Sequence, residues 1–218
     1  MANRNTRRVE LIHDRPAPRP VTERDVAFRG RVWDVVTEHV RLDATLVVAR
    51  DVIRHPGAVA VVAFREPGEL LLVRQYRHPV GRDMWEPPAG LLDVAGEDPL
   101  AAAKRELHEE ADAVATTWHV LADFFTSPGG SSEAIRIYLA REISEVPHAD
   151  RFVREAEEKE MIRRWVVLED VLAGIAAGEL QSPTLVTGAF ALDAALRADF
   201  ATLRPADAPW ARSSGVLS

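Results

Sequence analysis

Cysteine is missing from the sequence: none of its 218 residues is a cysteine. A disulfide framework and thiol chemistry are therefore excluded. The sequence also has no apolar run of the roughly 18 residues that a transmembrane helix needs, and its N-terminal stretch lacks the apolar segment of a signal peptide. We therefore expect a cytoplasmic protein that is not associated with a membrane.

An excess of positive charge is also missing: the 27 basic residues are outnumbered by 34 acidic ones, and the formal net charge is −7. Nucleic-acid binding generally requires a basic face, so we expect no nucleic-acid partner. An anionic substrate would need local arginine or lysine side chains, or a metal ion. Hydrophobic residues make up 47% of the chain, which is typical of a globular protein. The length allows one good-sized domain with an extension.

The distribution of charged, β-branched and proline residues divides the chain into four parts. Residues 1–20 carry five arginines and three prolines, and we expect them to form a poorly ordered lead-in. Residues 21–55 are rich in β-branched and aromatic residues, which predicts a small antiparallel sheet. Residues 56–203 would form the main domain, and residues 204–218 a loose C-terminal tail. Within the first sheet, strand-forming segments cover residues 32–36, 38–40 and 45–53.

The main domain alternates predicted strands and helices, which indicates an α/β (α+β) fold. A continuous apolar run over residues 58–64 predicts a strand that is buried on both faces. A loop is expected from residue 77 to residue 85. The other predicted strands cover residues 70–76, 118–125, 135–140 and 164–168. Helices are predicted over residues 99–111, 169–177 and 183–200, with Ser182 as the N-cap of the last.

The first of these helices combines an apolar flank with an acidic one. Asp98 can cap its N-terminus, and Pro99 suits the first helical position. At 3.6 residues per turn, Glu106, Glu109 and Glu110 share one flank. Like charges on one face destabilise a helix by about a few tenths of a kcal/mol per pair, so helix stability does not explain them. A solvated acidic face is one interpretation, and a site for a hard divalent cation such as Mg²⁺ or Mn²⁺ is the other.

The wider pattern around this helix resembles the Nudix box, G-x5-E-x7-R-E-U-x-E-E-x-G-U, in which U is an aliphatic residue. Gly90, Glu97 and the run R-E-L-H-E-E that begins at Arg105 supply its fixed positions. Two departures are visible: six residues instead of five separate Gly90 from Glu97, and Asp112 stands at the second glycine. Asp112 would have to take a left-handed conformation, which aspartate tolerates better than most residues. The resemblance implies an α/β/α sandwich with a mixed central sheet.

Three further segments resemble the ADP-ribose pyrophosphatase branch of that family. They are Q-Y-R at residues 75–77 followed by W-E-P-P-A-G at residues 85–90, Pro128 sixteen residues beyond Asp112, and S-P-G-G-S-S-E at residues 127–133. The resemblance implies metal-dependent hydrolysis of ADP-ribose to AMP and ribose 5-phosphate. Two alternatives stay open: a pyrophosphatase for another nucleoside diphosphate sugar, and a non-catalytic Nudix-like module that senses ADP-ribose. The intact box carboxylates favour an enzyme.

The same resemblance implies roles in metal binding. Two or three Mg²⁺ ions, or Mn²⁺ in their place, would be held by the backbone carbonyl of Ala89 and the carboxylates of Glu106 and Glu110. Glu109 would assist in metal binding and catalysis, and Glu160 would lie near the metal ions. Arg105 would orient the glutamates for catalysis.

The general base is expected in the polar stretch before the last predicted strand. The pattern E-E-x-E at residues 157–160 precedes Trp165, and when it is matched to the family, Glu158 takes the position of the base. Glu157 is the alternative, because loop alignments shift easily by one residue. Without the family, the bland interpretation of this stretch is a solvated acidic loop.

The resemblance also implies a binding site for a small-molecule nucleoside diphosphate sugar. Arg77 would face a phosphate, and Glu133 would accept hydrogen bonds from the hydroxyl groups of the terminal ribose. Trp33 would stack on adenine, with Arg50 nearby. The N-terminal sheet is similar to the part that two subunits of such enzymes exchange, so we expect a homodimer.

Overall fold

The computed structural model describes residues 12–152 and 161–210, and within these ranges the chain forms two sheets and three α-helices. The strands are β1 (Val21–Arg29), β2 (Asp34–Arg41), β3 (Val47–Arg54), β4 (Ala58–Arg65), β5 (Glu69–Arg77), β6 (Arg82–Glu86), β7 (Ala89–Leu91), β8 (Ala113–Phe125), β9 (Ala134–Glu145), β10 (Ile162–Val167) and β11 (Arg204–Pro205). The helices are α1 (Pro99–Ala111), α2 (Leu168–Ala176) and α3 (Pro183–Arg197). None of the helices in these ranges has the length and apolar character needed to span a bilayer.

The N-terminal sheet is antiparallel and has the order β1-β2-β3, as predicted. β2 begins at Asp34, so Trp33 lies in the connection after β1 and not in a strand, where the sequence had predicted it. A turn at Asp43 joins β2 to β3, and the Asp43 carboxylate accepts hydrogen bonds from the N–H groups of Thr45 and Leu46, each at 2.8 Å. These hydrogen bonds lower the pKa of Asp43.

The main sheet has the strand order β10-β5-β4-β9-β8-β11, with β6 paired to β5 and β7 paired to β4. Strands β4 and β9 run parallel, with Val61 opposite Tyr138, and the other neighbouring pairs are antiparallel. The sheet is therefore mixed, as the resemblance implied. The central position of β4 explains its apolar sequence, because seven of its eight residues are buried.

Helices cover both faces of this sheet, which makes the main domain an α/β/α sandwich. Alternate residues of β4 point to opposite faces: Val62 belongs to the apolar cluster that includes α2 and α3, whereas Val61 belongs to the cluster that includes α1. Leu107 of α1 and Leu192 of α3 are completely buried in these two clusters. Burying one leucine side chain contributes about 1.5–3 kcal/mol, so this packing holds α1 firmly against the sheet.

The acidic helix α1 begins and ends as predicted. The Asp98 carboxylate accepts hydrogen bonds from the N–H groups of Leu100 and Ala101 at 2.9 and 3.2 Å, and Pro99 occupies the first helical position. Asp112 ends the helix in the left-handed conformation, with φ 48° and ψ 42°. The backbone at Asp112 therefore has the conformation that glycine commonly provides at helix C-termini.

Several boundaries differ from the prediction. The loop expected over residues 77–85 contains β6, which forms a hairpin with β5. The sequence of β6, R-D-M-W-E, has no β-branched residue, so local propensity did not indicate a strand. β8 begins at Ala113 instead of residue 118, and α3 ends at Arg197 instead of residue 200. Ser182 holds the N-cap position of α3, but its side chain makes no capping hydrogen bond.

Residues 204–210 are part of the main domain, so the expectation of a loose tail is wrong for this stretch. β11 pairs with β8, and the guanidinium of Arg136 donates hydrogen bonds to the carbonyls of Ala208 and Pro209 at 2.7 and 3.2 Å. Arg136 is only 3% exposed and also donates to the Asp123 carboxylate at 2.8 and 2.9 Å. A buried arginine needs such partners, and two of them, the carbonyls of Ala208 and Pro209, come from a segment that has no periodic pattern of its own.

Candidate active site

Two buried carboxylates of α1 lie against strand β7. Glu106 and Glu110 are 9% and 8% exposed, and the N–H of Ala89 donates a hydrogen bond to Oε2 of Glu110 at 2.9 Å. A β-carbon placed on Gly90 would lie 1.9 Å from Oε1 of Glu106, so this carboxylate fills the space beside a residue without a side chain. Helix and strand therefore bring both carboxylates to the backbone of residues 89 and 90.

Arg105 forms hydrogen bonds with three acidic side chains of the site. The Arg105 guanidinium donates to both carboxylate oxygens of Glu97, each at 3.0 Å. It also donates to Glu106 at 2.6 Å and to Glu109 at 3.2 Å. The hydrogen bonds with Glu97 raise the pKa of Arg105, and the same hydrogen bonds lower the pKa of Glu97. Because Glu97 precedes the helix, it fixes the guanidinium from outside α1, and the arginine offsets the repulsion along the acidic flank.

The donor set suits a hard divalent cation. It offers carboxylate oxygens beside the backbone of Ala89, and Mg²⁺ is typically bound by one or two carboxylates together with water and substrate phosphates. Within residues 12–152 and 161–210, no three acidic or histidine side chains are grouped closely enough to hold an ion. The carboxylates instead bond to Arg105 and to the Ala89 N–H. A metal ion held by Glu106 and Glu110 would therefore need its remaining ligands from outside this group of side chains.

Arg77 pairs with a buried carboxylate. Its guanidinium donates hydrogen bonds to Glu86 at 2.6 and 3.2 Å. The side chain of Glu86 is 8% exposed, whereas that of Arg77 is 43% exposed. The pair crosses the β5–β6 hairpin, so Glu86 holds Arg77 in place, and the Arg77 side chain is still partly exposed.

Loop 127–133, which has the sequence S-P-G-G-S-S-E, is hydrogen-bonded to the end of β3. The N–H of Ile53 donates to the carbonyl of Gly130 at 2.8 Å, and the N–H of Ser132 donates to the carbonyl of Ile53 at 2.9 Å. Arg50 of β3 and five residues of this loop line one cavity of about 430 Å³. The N-terminal sheet and the loop that ends at Glu133 therefore form a common surface.

The remaining predicted residues lie outside this arrangement. Trp33 is 40% exposed and is not among the residues that line the cavity. Glu157, Glu158 and Glu160 fall outside the described residues, so their roles remain predictions.

The similarity of the chain to known proteins covers the same region. A family model of the NUDIX domain matches residues 54–184, which is more than half of the chain. The chain belongs to the Nudix hydrolase family. An ADP-ribose pyrophosphatase of Mycobacterium tuberculosis is 40% identical to it over 181 residues, which are 83% of this chain and 86% of that protein. An ADP-ribose pyrophosphatase of Bacillus subtilis is 37% identical over 154 residues, or 70% of this chain and 80% of that protein.

A solved structure described as an ADP compounds hydrolase has a similar fold. The TM-score is 0.70, and the match covers 86% of this chain and 98% of that one. The sequence identity is 17%, so this likeness concerns the fold alone. Together with the family match, it confirms the Nudix resemblance and the sandwich architecture that the sequence implied.

In this Nudix hydrolase, the second glycine position of the box is part of a buried ion-pair cluster. Asp112 is 2% exposed, and its carboxylate accepts a hydrogen bond from Arg163 of β10. Arg151 lies 3.8 Å from the same oxygen, and the carbonyl of Asp112 accepts a hydrogen bond from the N–H of Val146 at 2.8 Å. The departure from the family pattern thus joins the end of α1 to two other segments of the chain.

Two residues of this Nudix hydrolase that contact the predicted site residues were missed by the sequence analysis. Glu86 lies in the W-E-P-P-A-G segment, where a carboxylate between apolar neighbours could have indicated a buried group in need of a partner. His55 lies just beyond β3, and its Nε2 is 3.5 Å from Oε1 of Glu133. A single histidine before a Pro-Gly turn matches no motif, so the sequence carried no signal for it.

Proposed function

We propose that the protein hydrolyses the pyrophosphate bond of ADP-ribose and releases AMP and ribose 5-phosphate. The observation that carries the proposal is the placement of Glu106 and Glu110 over residues 89 and 90, with Arg105 bonded to Glu106. The choice of ADP-ribose is supported by the two bacterial relatives that are named ADP-ribose pyrophosphatase and match most of the chain.

The Nudix family generally uses divalent metal ions, and we propose Mg²⁺, with Mn²⁺ as a substitute, at two or three positions. The Ala89 carbonyl, Glu106 and Glu110 would hold them, with Glu109 and Glu160 assisting. When bound, such ions would neutralise phosphate charge and acidify the attacking water. Arg105 would keep Glu106 and Glu109 in the orientation that metal binding requires, because it bonds to both and is itself fixed by Glu97.

The remaining chemical steps would rest on side chains of the chain. We propose that Glu158 accepts the proton from the attacking water as the general base. The partly exposed Arg77 side chain would bind a phosphate oxygen, since arginine matches phosphate geometry well. Glu86 would keep this guanidinium in place during the reaction.

The rest of the substrate would bind in the cavity between β3 and loop 127–133. Arg50 lines this cavity, and Glu133 at the end of the loop would accept hydrogen bonds from the terminal ribose. Trp33 would stack on adenine. Because Trp33 lies outside the cavity lining of its own chain, it would act at the site of a partner subunit.

A homodimer in which the two subunits exchange their N-terminal sheets would bring Trp33 to the site of the partner subunit. All nine residues of β1 are exposed, including Val26 at 44% and Phe28 at 58%. A strand with exposed apolar side chains is a common feature of surfaces that bind another chain. We therefore propose that β1 is covered by a second copy of the protein.

The proposed reaction can be tested with a panel of substrates at equal concentration. ADP-ribose, ADP-glucose, GDP-mannose and diadenosine polyphosphates would be incubated with the protein and Mg²⁺, and the products separated by chromatography. We expect AMP from ADP-ribose at the highest kcat/KM and no product in excess chelator. A higher kcat/KM for another nucleotide sugar would favour the broader pyrophosphatase, and binding of ADP-ribose without turnover would favour a sensing module.

A further inference from the structure

His55 lies between the N-terminal sheet and loop 127–133. Its side chain is 11% exposed, and its backbone N–H donates a hydrogen bond to the hydroxyl of Ser132 at 2.9 Å. The next residue of the loop is Glu133, whose side chain is 26% exposed and whose carboxylate faces the imidazole. A nearly buried histidine is therefore held beside the carboxylate that is proposed to bind the ribose.

The backbone fixes the tautomer of His55. The N–H of Gly57 donates a hydrogen bond to Nδ1 at 3.0 Å, so Nδ1 is an acceptor. In a neutral imidazole the proton must then be on Nε2. Nε2 is the nitrogen that lies 3.5 Å from Oε1 of Glu133, so the Nε2–H group is next to the carboxylate.

Burial keeps the imidazole neutral. Loss of solvent lowers the pKa of His55 below its usual value, although the charge of Glu133 acts in the opposite direction. At neutral pH Glu133 therefore faces a neutral N–H group and not a cation. A cation would compete for its lone pairs more strongly than a neutral donor does.

The two neighbours of Glu133 leave part of its acceptor capacity free for a ligand. Oε2 accepts a hydrogen bond from the hydroxyl of Thr126 at 2.6 Å, and Oε1 faces His55. A carboxylate offers about four lone-pair positions, so about two remain for donors that approach from the exposed side. Two adjacent hydroxyl groups, as in the diol of a ribose, match that number.

We propose that His55 is a positioning residue that orients Glu133 to bind the diol of a terminal ribose. The inference rests on the proposed binding role of Glu133. The Nε2–H group prevents the carboxylate from turning away, and the Gly57 N–H in turn prevents the imidazole from presenting its unprotonated nitrogen. The contact of 3.5 Å would shorten when ligand hydroxyls draw the carboxylate into its binding orientation, as hydrogen bonds in unliganded sites often do.

Two substitutions separate this role from a purely structural one. His55→Asn keeps an acceptor near the position of Nδ1 for the Gly57 N–H but removes the donor at Nε2. His55→Gln reaches the position of Nε2 with an amide N–H₂ group and gives up the Nδ1 acceptor. A structural role predicts that His55→Gln lowers the melting temperature more, whereas a positioning role predicts that His55→Asn weakens ribose binding more.

The test is calorimetric titration of the full chain in chelator, with ADP-ribose and with ADP, which lacks the terminal ribose. We expect His55→Asn to weaken the affinity for ADP-ribose about tenfold and to leave the affinity for ADP unchanged. His55→Gln should retain the affinity for ADP-ribose to within about threefold. In a Glu133→Gln background, His55→Asn should have no further effect, because the carboxylate that the Nε2–H group orients is no longer present.

Three results would overturn the inference: wild-type affinity for ADP-ribose in His55→Asn, an equal loss for ADP and ADP-ribose, or wild-type protein that binds ADP-ribose no more tightly than ADP. The binding measurements can succeed or fail independently of the test of the proposed reaction. If ADP-ribose binds through His55 and Glu133 but is not hydrolysed, the proposed function fails and the inference stands. If ADP-ribose is hydrolysed and His55→Asn binds it normally, the reverse holds.

Discussion

The carboxylate of Glu106 fills the place where a side chain on residue 90 would begin: a β-carbon at Gly90 would lie 1.9 Å from its Oε1 and 2.1 Å from its Cδ. We predict that Gly90→Ala displaces this carboxylate and lowers kcat/KM about 10–100-fold, the range typical of disturbed metal sites. Mg²⁺ titrations of the activity should show a higher midpoint.

Gly188→Ala is the matched control for this prediction. Its β-carbon would lie 2.7 Å from Cγ2 of Val62, which belongs to the apolar cluster on the face opposite α1. This variant should lower the melting temperature and leave the Mg²⁺ midpoint unchanged. An unchanged Mg²⁺ midpoint in Gly90→Ala as well would show that the displaced carboxylate is not needed for metal binding.

Replacing the two carboxylates themselves should have a larger effect. Glu106→Gln or Glu110→Gln keeps the side-chain shape and removes a charge, so we predict loss of most Mg²⁺-dependent activity, about 100-fold or more, with little change in melting temperature. Glu169→Gln, an exposed residue at the start of α2, controls for the change in net charge. Wild-type activity in the double variant, or full activity of the wild-type protein in excess chelator, would contradict the metal assignment.

Asp112 and Arg163 form an ion pair, and replacing one or the other should lower the free energy of unfolding by different amounts. Arg163→Met leaves the Asp112 carboxylate, which is 1% exposed, without its closest charge partner, so we predict a loss of about 3 kcal/mol in the free energy of unfolding. Asp112→Gly removes the buried charge and supplies the residue that best tolerates the left-handed backbone. Because Arg163 is 31% exposed and also donates to the carbonyl of Ala111, we expect a loss of only about 1 kcal/mol.

Urea denaturation of both variants measures this difference. The two curves should have the same slope and different midpoints, since neither change alters the surface exposed on unfolding. A larger loss in Asp112→Gly than in Arg163→Met would mean that Asp112 acts mainly through contacts other than this pair.

The exposure of β1 leads to a prediction about assembly. We expect light scattering to report a homodimer at micromolar concentration, because burial of apolar residues such as Phe28 stabilises a subunit interface. Trp33→Ala should raise the KM for ADP-ribose about tenfold, since stacking of one base on an aromatic ring contributes about 1–3 kcal/mol, and Trp33→Phe should restore most of the loss. A monomer, or an unchanged KM in Trp33→Ala, would count against the exchanged arrangement.

The predicted general base can be located by two neighbouring substitutions. Glu158→Gln should lower kcat about 10²–10⁴-fold with little change in KM, which is the pattern for an interaction made mainly in the transition state. Glu157→Gln should have a much smaller effect. Reversed results would shift the base by one residue, and a decrease of less than tenfold in both variants would place the base elsewhere.

Local chemistry made the acidic helix predictable in full. Asp98 and Pro99 define its start, and its end was set at the residue before Asp112 even though the family pattern has glycine there. The apolar run of β4 was equally clear, because a strand between two layers of helices has no polar face. These features depend on residues that are close in sequence, where periodicity and capping give direct signals.

Contacts between distant segments were not predictable in the same way. β6 and β11 form because β5 and β8 offer edges for pairing, and neither short strand has a strand-like sequence. In the site, the motif predicted Arg105 and the glutamates. Glu86 and His55 were not predicted, because they contact site residues that are distant in the sequence. His55 and Ser132, for example, are 77 positions apart in the chain, and no local rule connects them.

The two-residue strand β11 has a consequence for contacts between different protein molecules. Unpaired N–H and C=O groups along a sheet edge can recruit a strand from another chain, and β8 is thirteen residues long. Arg204 and Pro205 occupy this edge opposite Val120 and His119, and an ion pair of 2.8 Å between Arg204 and Asp123 holds them there. Pro205 has no N–H to offer to a further strand. The segment that the sequence predicted to be loose therefore covers part of a sheet edge at which a strand of another molecule could otherwise pair.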